Sequence, residues 1–253
     1  MRHNPFAQVV IDPVKRARQG RRPPATRDYV IHFTPRSGSS WLTDILAATR
    51  RLSAANEAFN PAFVPRMAQA LNATDLDDYI AALRRRFNTG GLYGVEVTAH
   101  QINAIFGSHD AFHARFATAR SFWLIRQDIV AQAVSLAKMV TTKVAHDTGD
   151  AAATVARTET AFAYDAALIR RWLEHIRIAE RQTEDWFARA GVAPLRMSYE
   201  QVTQLTPLQA VNVVARHLGL PDIAPMEFAP RHAKLATGQN SDYAARFRAQ
   251  EAH

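Results

Sequence analysis

The chain contains no cysteine, which excludes disulfides, a thiolate nucleophile, cysteine-ligated zinc and iron–sulfur clusters. It has no uninterrupted apolar run near the ~18 residues that a membrane-crossing helix needs, and its N-terminus lacks the apolar core of a secretory signal. Membrane insertion is therefore not expected, and a cytoplasmic location is. Acidic residues are almost missing from positions 1–27, where Asp12 alone stands against Arg2, Lys15, Arg16, Arg18, Arg21, Arg22 and Arg27. That stretch holds +6 of the total formal charge of +8, so the remaining 226 residues, with 24 basic and 22 acidic groups, are nearly neutral. A near-neutral body argues against nucleic-acid binding by the folded part. The arm itself, with Pro5, Pro13, Pro23 and Pro24, reads as a flexible basic tail preceding one domain over 28–253.

The composition that remains, 47% hydrophobic and 21% charged, is that of an ordinary globular domain. Order begins with Tyr29 to Phe33, an apolar, β-branched and aromatic run that predicts a buried strand. The polar turn Thr34 to Ser40 follows, and then Trp41, Leu42, Ile45 and Leu46 recur at helical spacing. Helices are expected over Leu76–Phe87 and from an Asp128 N-cap towards Lys143, with strands at Leu92–Val97 and Ser121–Ile125. One long helix from Thr154 to Ala190, a short strand at Leu195–Met197 and a helix over Pro207–Leu218 complete the pattern. Strands alternating with helices predict a three-layer α/β/α fold around a mostly parallel sheet.

The segment Thr34-Pro35-Arg36-Ser37-Gly38-Ser39-Ser40-Trp41 is the most informative. A strand–loop–helix junction aims backbone N–H groups and a positive helix end at one point, which suits a phosphate or sulfate. Gly38 admits close backbone approach, Ser37, Ser39 and Ser40 add donors, and Arg36 supplies a charge that can fork onto oxygens. The ATPase pattern GxxxxGK followed by Ser or Thr is absent, so triphosphate hydrolysis lacks its expected parts. A second piece, Arg126 at a strand end and Ser135 in the second turn of the next helix, can reach one anion together; Arg126 could equally pair with Asp128.

Taken together, PRSGSSW and the later R-x8-S resemble the sulfotransferase superfamily, which uses 3′-phosphoadenosine-5′-phosphosulfate (PAPS) as donor. Within it, RSGSS, the Ala47-Ala48-Thr49 helix end and R-x-D-x-V-x-Q-A-V-S are most similar to the bacterial trehalose 2-sulfotransferase family, over about Tyr29 to Phe247. The resemblance implies a P-loop-like sulfotransferase fold in which Arg36, Ser37, Gly38, Ser39 and Ser40 grip the 5′-phosphosulfate and Arg126 and Ser135 hold the 3′-phosphate. It also places Glu57, in Ala55-Asn56-Glu57-Ala58-Phe59, as the general base, with Arg36 as the other catalytic group. Gln239 to Tyr243 with Arg246 resembles the segment that closes over the nucleotide. One departure stands out: Gly94-Val95-Glu96-Val97 occupies the place of a Gly-x-Lys strand, reversing the charge beside the acceptor pocket and making Glu96 a rival base.

The expected activity is sulfuryl transfer from PAPS to a hydroxyl of a carbohydrate, glycolipid or other small metabolite, with 3′-phosphoadenosine-5′-phosphate (PAP) as product. No metal is required, and His100, His113 and His175 form no ligand pattern. The expected partner is a small-molecule or glycan acceptor, and nothing excludes a homodimer. The competing readings are a P-loop-type kinase or nucleotide hydrolase, and a non-catalytic nucleotide- or nucleic-acid-binding protein.

Overall fold

A computed structural model of the chain describes residues 4–144, 151–228 and 238–252. The fold is α/β, with a central sheet of four strands, β1 (Arg27–Phe33), β2 (Leu92–Val97), β3 (Arg120–Ile125) and β4 (Leu195–Ser198), all parallel in the order β2-β1-β3-β4. Between and around the strands run α1 (Pro13–Gly20), α2 (Ser39–Ala48), α3 (Val64–Leu71), α4 (Leu76–Arg86), α5 (Ala99–Ile105) and α6 (His109–Phe116). The remaining helices are α7 (Ile129–Thr142), α8 (Ala151–Ala161), α9 (Ala166–Ala190), α10 (Tyr199–Gln204), α11 (Pro207–His217) and α12 (Gly238–Glu251). None of the described helices is long and apolar enough to cross a membrane.

The alternation of side chains along β1 explains the layers, because a strand buried on both faces is apolar throughout. Tyr29, Ile31 and Phe33 pack with Leu42, Ile45 and Leu46 of α2 and Val211 and Val214 of α11. Val30 joins Val95, Val97, Tyr79 and Ile80 on the opposite side, where His32 also lies, edge-on to Phe112 and Phe187. Burial and the neighbouring His109 and His113 push the His32 pKa down to about 3, so this ring is a neutral core residue. Register pairs Ile31 with Glu96, which puts Glu96 on the α2 side of the sheet.

Two departures from the sequence expectations have clear causes. The predicted long helix over 154–190 is two helices, broken at 162–165, where Phe162 turns into the core and Asp165 caps α9 by accepting from Leu168 N at 2.9 Å. The N-terminal stretch is not a loose tail over its described residues. Phe6 is buried against Tyr79, Gln69 pairs with both backbone groups of Val10, and Asp12 N donates to Asn72 Oδ1 at 2.8 Å. Asp12 then caps α1, and Arg16 meets Asp78 at 3.0 Å. The basic side chains concealed the few apolar and capping groups that dock this segment on α3 and α4.

Candidate active site

Every proposed site residue except Glu57 belongs to a segment leaving the C-terminal end of a strand or to the helix that follows it. β1 lies between β2 and β3, so the connections after β1 and β3 diverge there and open a crevice, the usual ligand position in an open parallel sheet. The loop after β1 has two left-handed residues, Arg36 at φ 69° and Gly38 at φ 86°. Gly38 is the N-cap of α2, and a Cβ there would sit 2.7 Å from Tyr199 Cδ2, so glycine is required by conformation and by space. From α7, the Gln132 side-chain amide pins the loop, donating to Thr34 Oγ1 at 2.9 Å and to the Pro35 carbonyl at 2.8 Å.

Arg36 and Ser135, 99 residues apart in sequence, meet directly: Arg36 Nε donates to Ser135 Oγ at 3.0 Å. Arg126 lies close to them, its guanidinium 4.8 Å over the Tyr199 ring. Burial, and then the charge of Arg126, hold the Arg36 pKa below the usual guanidinium value. Glu200 organises the turn after β3 by accepting from Gln127 N at 2.9 Å and Asp128 N at 3.2 Å, and it faces Arg126 Nε at 3.8 Å. Asp128 caps α7 and pairs with Arg248. The buried Arg126 Nε and Ser37 Oγ have no hydrogen-bond partner among the described residues. Two guanidinium groups close to one another, beside a helix N-terminus and α7, suit a ligand carrying separated anionic groups.

The third group stands beside the loop. Asn56 bridges to Val95, and Glu96 N donates to the Asn56 carbonyl at 3.1 Å, fixing the segment that carries Glu57 against β2. Glu57 Oε2 accepts from Gln101 Nε2 at 2.6 Å and from Asn60 Nδ2 at 3.0 Å. Glu96 is buried and hydrogen-bonded with Ser39; burial first, then the charge of Glu57, push its pKa up to about 8. Gly94 allows the Tyr29 ring to cross it at a distance no Cβ would permit, and the Tyr29 hydroxyl donates to the Ser53 carbonyl behind this pair.

Arg36, Arg126 and Ser135 thus meet at the loop 36–40 that opens α2, and Glu57 acts on Glu96, which is itself in contact with Ser39 of that loop. Sequence reasoning did not identify Tyr199, Glu200 or Gln101, and it included Gln132 in R-x-D-x-V-x-Q-A-V-S without a role. Two of these carried a signal: Thr98-x-x-Gln101 and Ser198-Tyr199-Glu200-Gln201 are capping-box patterns at strand ends, where site residues concentrate. Gln132 and Glu200 act through contacts that no local pattern encodes. In the segment expected to close over the nucleotide, Gln239 Nε2 donates to the Glu159 carbonyl of α8 at 2.9 Å, and Tyr243 Oη donates to the Phe162 carbonyl, just past α8, at 3.3 Å.

Among curated proteins no match was found. The model of the Stf0 sulphotransferase family, however, matches residues 28–250, and the chain belongs to that family.

Proposed function

We propose that this sulphotransferase takes its sulfuryl group from PAPS and delivers it to a hydroxyl of a carbohydrate, glycolipid or other small metabolite. The observation that carries the reading is the convergence of the Arg36–Ser135 hydrogen bond with Arg126 at the N-terminal end of α2. Such a site can read two anionic groups at once, and Ser37 Oγ and Arg126 Nε, neither of which has a hydrogen-bond partner among the described residues although Arg126 faces Glu200 at 3.8 Å, fit a phosphosulfate and a 3′-phosphate respectively. PAPS supplies an activated sulfuryl group whose leaving phosphate is already a stable anion.

The chain's own residues have three tasks. The backbone N–H groups at 38–40, with Ser37, Ser39 and Ser40, hold the 5′ end, and Arg36 stabilises charge that grows on the bridging oxygen. Arg126 and Ser135 fix the 3′ end and set the donor in line. Glu57 accepts the proton of the acceptor hydroxyl as its oxygen bonds to sulfur and the sulfur–oxygen bond to the phosphate breaks. Two amide donors on one carboxylate oxygen leave the other, Oε1, as the atom that faces the acceptor.

Calorimetric titration with PAP, AMP and ATP tests the donor assignment. PAP should bind more tightly than either, and Arg126→Ala should remove the preference at a cost of ~1.5–3 kcal/mol, roughly tenfold to 150-fold in affinity. Equal affinity for PAP and AMP, or strict dependence on magnesium, contradicts it and favours a kinase-like enzyme.

A further inference from the structure

The side chain of Gln101 has two partners, and together they determine which way its amide points. Its backbone N–H donates to Thr98 Oγ1 at 3.2 Å, its Oε1 accepts from Thr98 N at 3.0 Å, and its Nε2 donates to Glu57 Oε2 at 2.6 Å. Turning the amide over would set a carbonyl oxygen against a carboxylate and an NH2 group against a backbone N–H, so both contacts resist the flip. The residue is 4% exposed and sits in the first turn of α5, directly after β2. A capping box needs only an acceptor at this place, and Glu serves it as well as Gln. The amide donor is the extra feature, and it is spent on Glu57.

We propose that Gln101 is a positioning residue for sulfuryl transfer: held by the cap at the end of β2, its amide fixes the Glu57 carboxylate in the orientation that receives the acceptor proton. This rests on Glu57 being the base in the reading above. The charged and titratable groups around that carboxylate are Glu96 from β2, with Asp44 of α2 and Tyr29 of β1 next to Glu96. No cation is paired with Glu57 among the described residues. Two neutral amides, from Gln101 and Asn60, orient the carboxylate through directed hydrogen bonds.

The decisive variant is Gln101→Glu, because it keeps the acceptor that caps α5 and replaces the donor with a second carboxylate. Carboxyl-carbon NMR on glutamate-labelled protein, with the Glu57 signal assigned by its loss in Glu57→Gln, reads the effect without any turnover. In Gln101→Glu the Glu57 titration midpoint should rise by about one pH unit or more, as expected for carboxylates sharing a site. PAP affinity should stay near wild type, while Tm falls by several degrees because a second carboxylate is buried beside Glu57. The rate with PAPS and an acceptor should fall by about 10- to 100-fold, since a misplacement of ~1 Å costs on that order, and its acid limb should move up in parallel. Gln101→Met, which removes both functions, should lower Tm and rate without raising the Glu57 midpoint. An unchanged midpoint and pH profile in Gln101→Glu would mean that Gln101 only caps a helix, and the proposal fails. A shifted midpoint in a protein that never transfers sulfuryl groups would instead leave the positioning geometry standing and remove Glu57 as base.

Discussion

Arg36 and Ser135 are joined by a 3.0 Å hydrogen bond that ties the loop after β1 to the second turn of α7. One residue comes from each of the two anion motifs, so the contact physically unites them. Ser135→Ala should therefore do two things: remove a donor to the ligand and release Arg36. PAP affinity is expected to fall by about tenfold, as for loss of one charge-assisted hydrogen bond. Arg36→Ala should reduce turnover more than PAP affinity, because its contact strengthens as charge develops. Isothermal titration beside initial rates separates the two, and equal losses in both measurements for Arg36→Ala would place it in ground-state binding.

The loop's tolerance for a side chain is the next expectation. Gly38→Ala must adopt φ 86° and bring its Cβ to 2.7 Å from Tyr199. Strain of this kind costs on the order of 1–3 kcal/mol, and the Tyr199 ring that stacks on Arg126 has to move. Loss of PAP binding with only a modest fall in Tm is the expected result. A variant that binds PAP normally would show that backbone approach at Gly38 is not part of the site.

Glu96 gives a pH test with a definite sign. Its pKa is raised in the folded protein to about 8 from its ordinary value of 4.5, so the folded state binds more protons than the unfolded one between those limits. Its contribution is favourable below pH 4.5 and is lost as pH rises through about 8. Glu96→Gln should therefore flatten the alkaline fall in stability and raise Tm at pH 9, by about 2–4 °C for each kcal/mol relieved. Thermal scans of both proteins from pH 6 to about pH 9 measure it. A parallel offset at all pH values would mean that the carboxyl is ionised throughout.

The arm over positions 1–27 offers a contrast. Phe6, Val10, Asp12 and Arg16 dock on α3 and α4, away from the crevice after β1 and β3. Removing residues 1–20 should lower Tm by several degrees, of the size expected when a few kcal/mol of contacts are lost, while PAP affinity stays constant. Lower affinity would give the arm a part in the site.

How much of this could be read in advance depended on whether the signal was local. The four strands were visible as apolar runs, and β2 begins and ends where expected, at Leu92 and Val97. Asp128 caps α7 as its position suggested. What escaped were contacts between distant residues. The amphipathic pattern of 154–190 continues through a break that only the inward turn of Phe162 and the cap at Asp165 reveal. At the site, Arg36, Arg126 and Ser135 could be named from two motifs, but the hydrogen bond between them could not. Arg126 does not pair with Asp128, because Glu200, 72 residues further on, holds the turn between them and Arg248 takes the Asp128 carboxylate. Glu57 was named through resemblance; its partner Asn60 is three residues away, but its partner Gln101 emerges only when α5 folds back from β2.

The most direct test of the account is transfer of label from radiolabelled PAPS to a panel of carbohydrate and small hydroxyl acceptors by wild type, Glu57→Gln and Glu96→Gln, each with its PAP affinity measured alongside. Glu57→Gln keeps the size of the side chain and removes its basicity. The account predicts labelled acceptor with the wild type, a rate lower by ~10²–10⁴ in Glu57→Gln at nearly unchanged PAP affinity, and a smaller effect in Glu96→Gln. Near-normal transfer by Glu57→Gln, with collapse in Glu96→Gln, would contradict it and make the buried carboxyl of β2 the base.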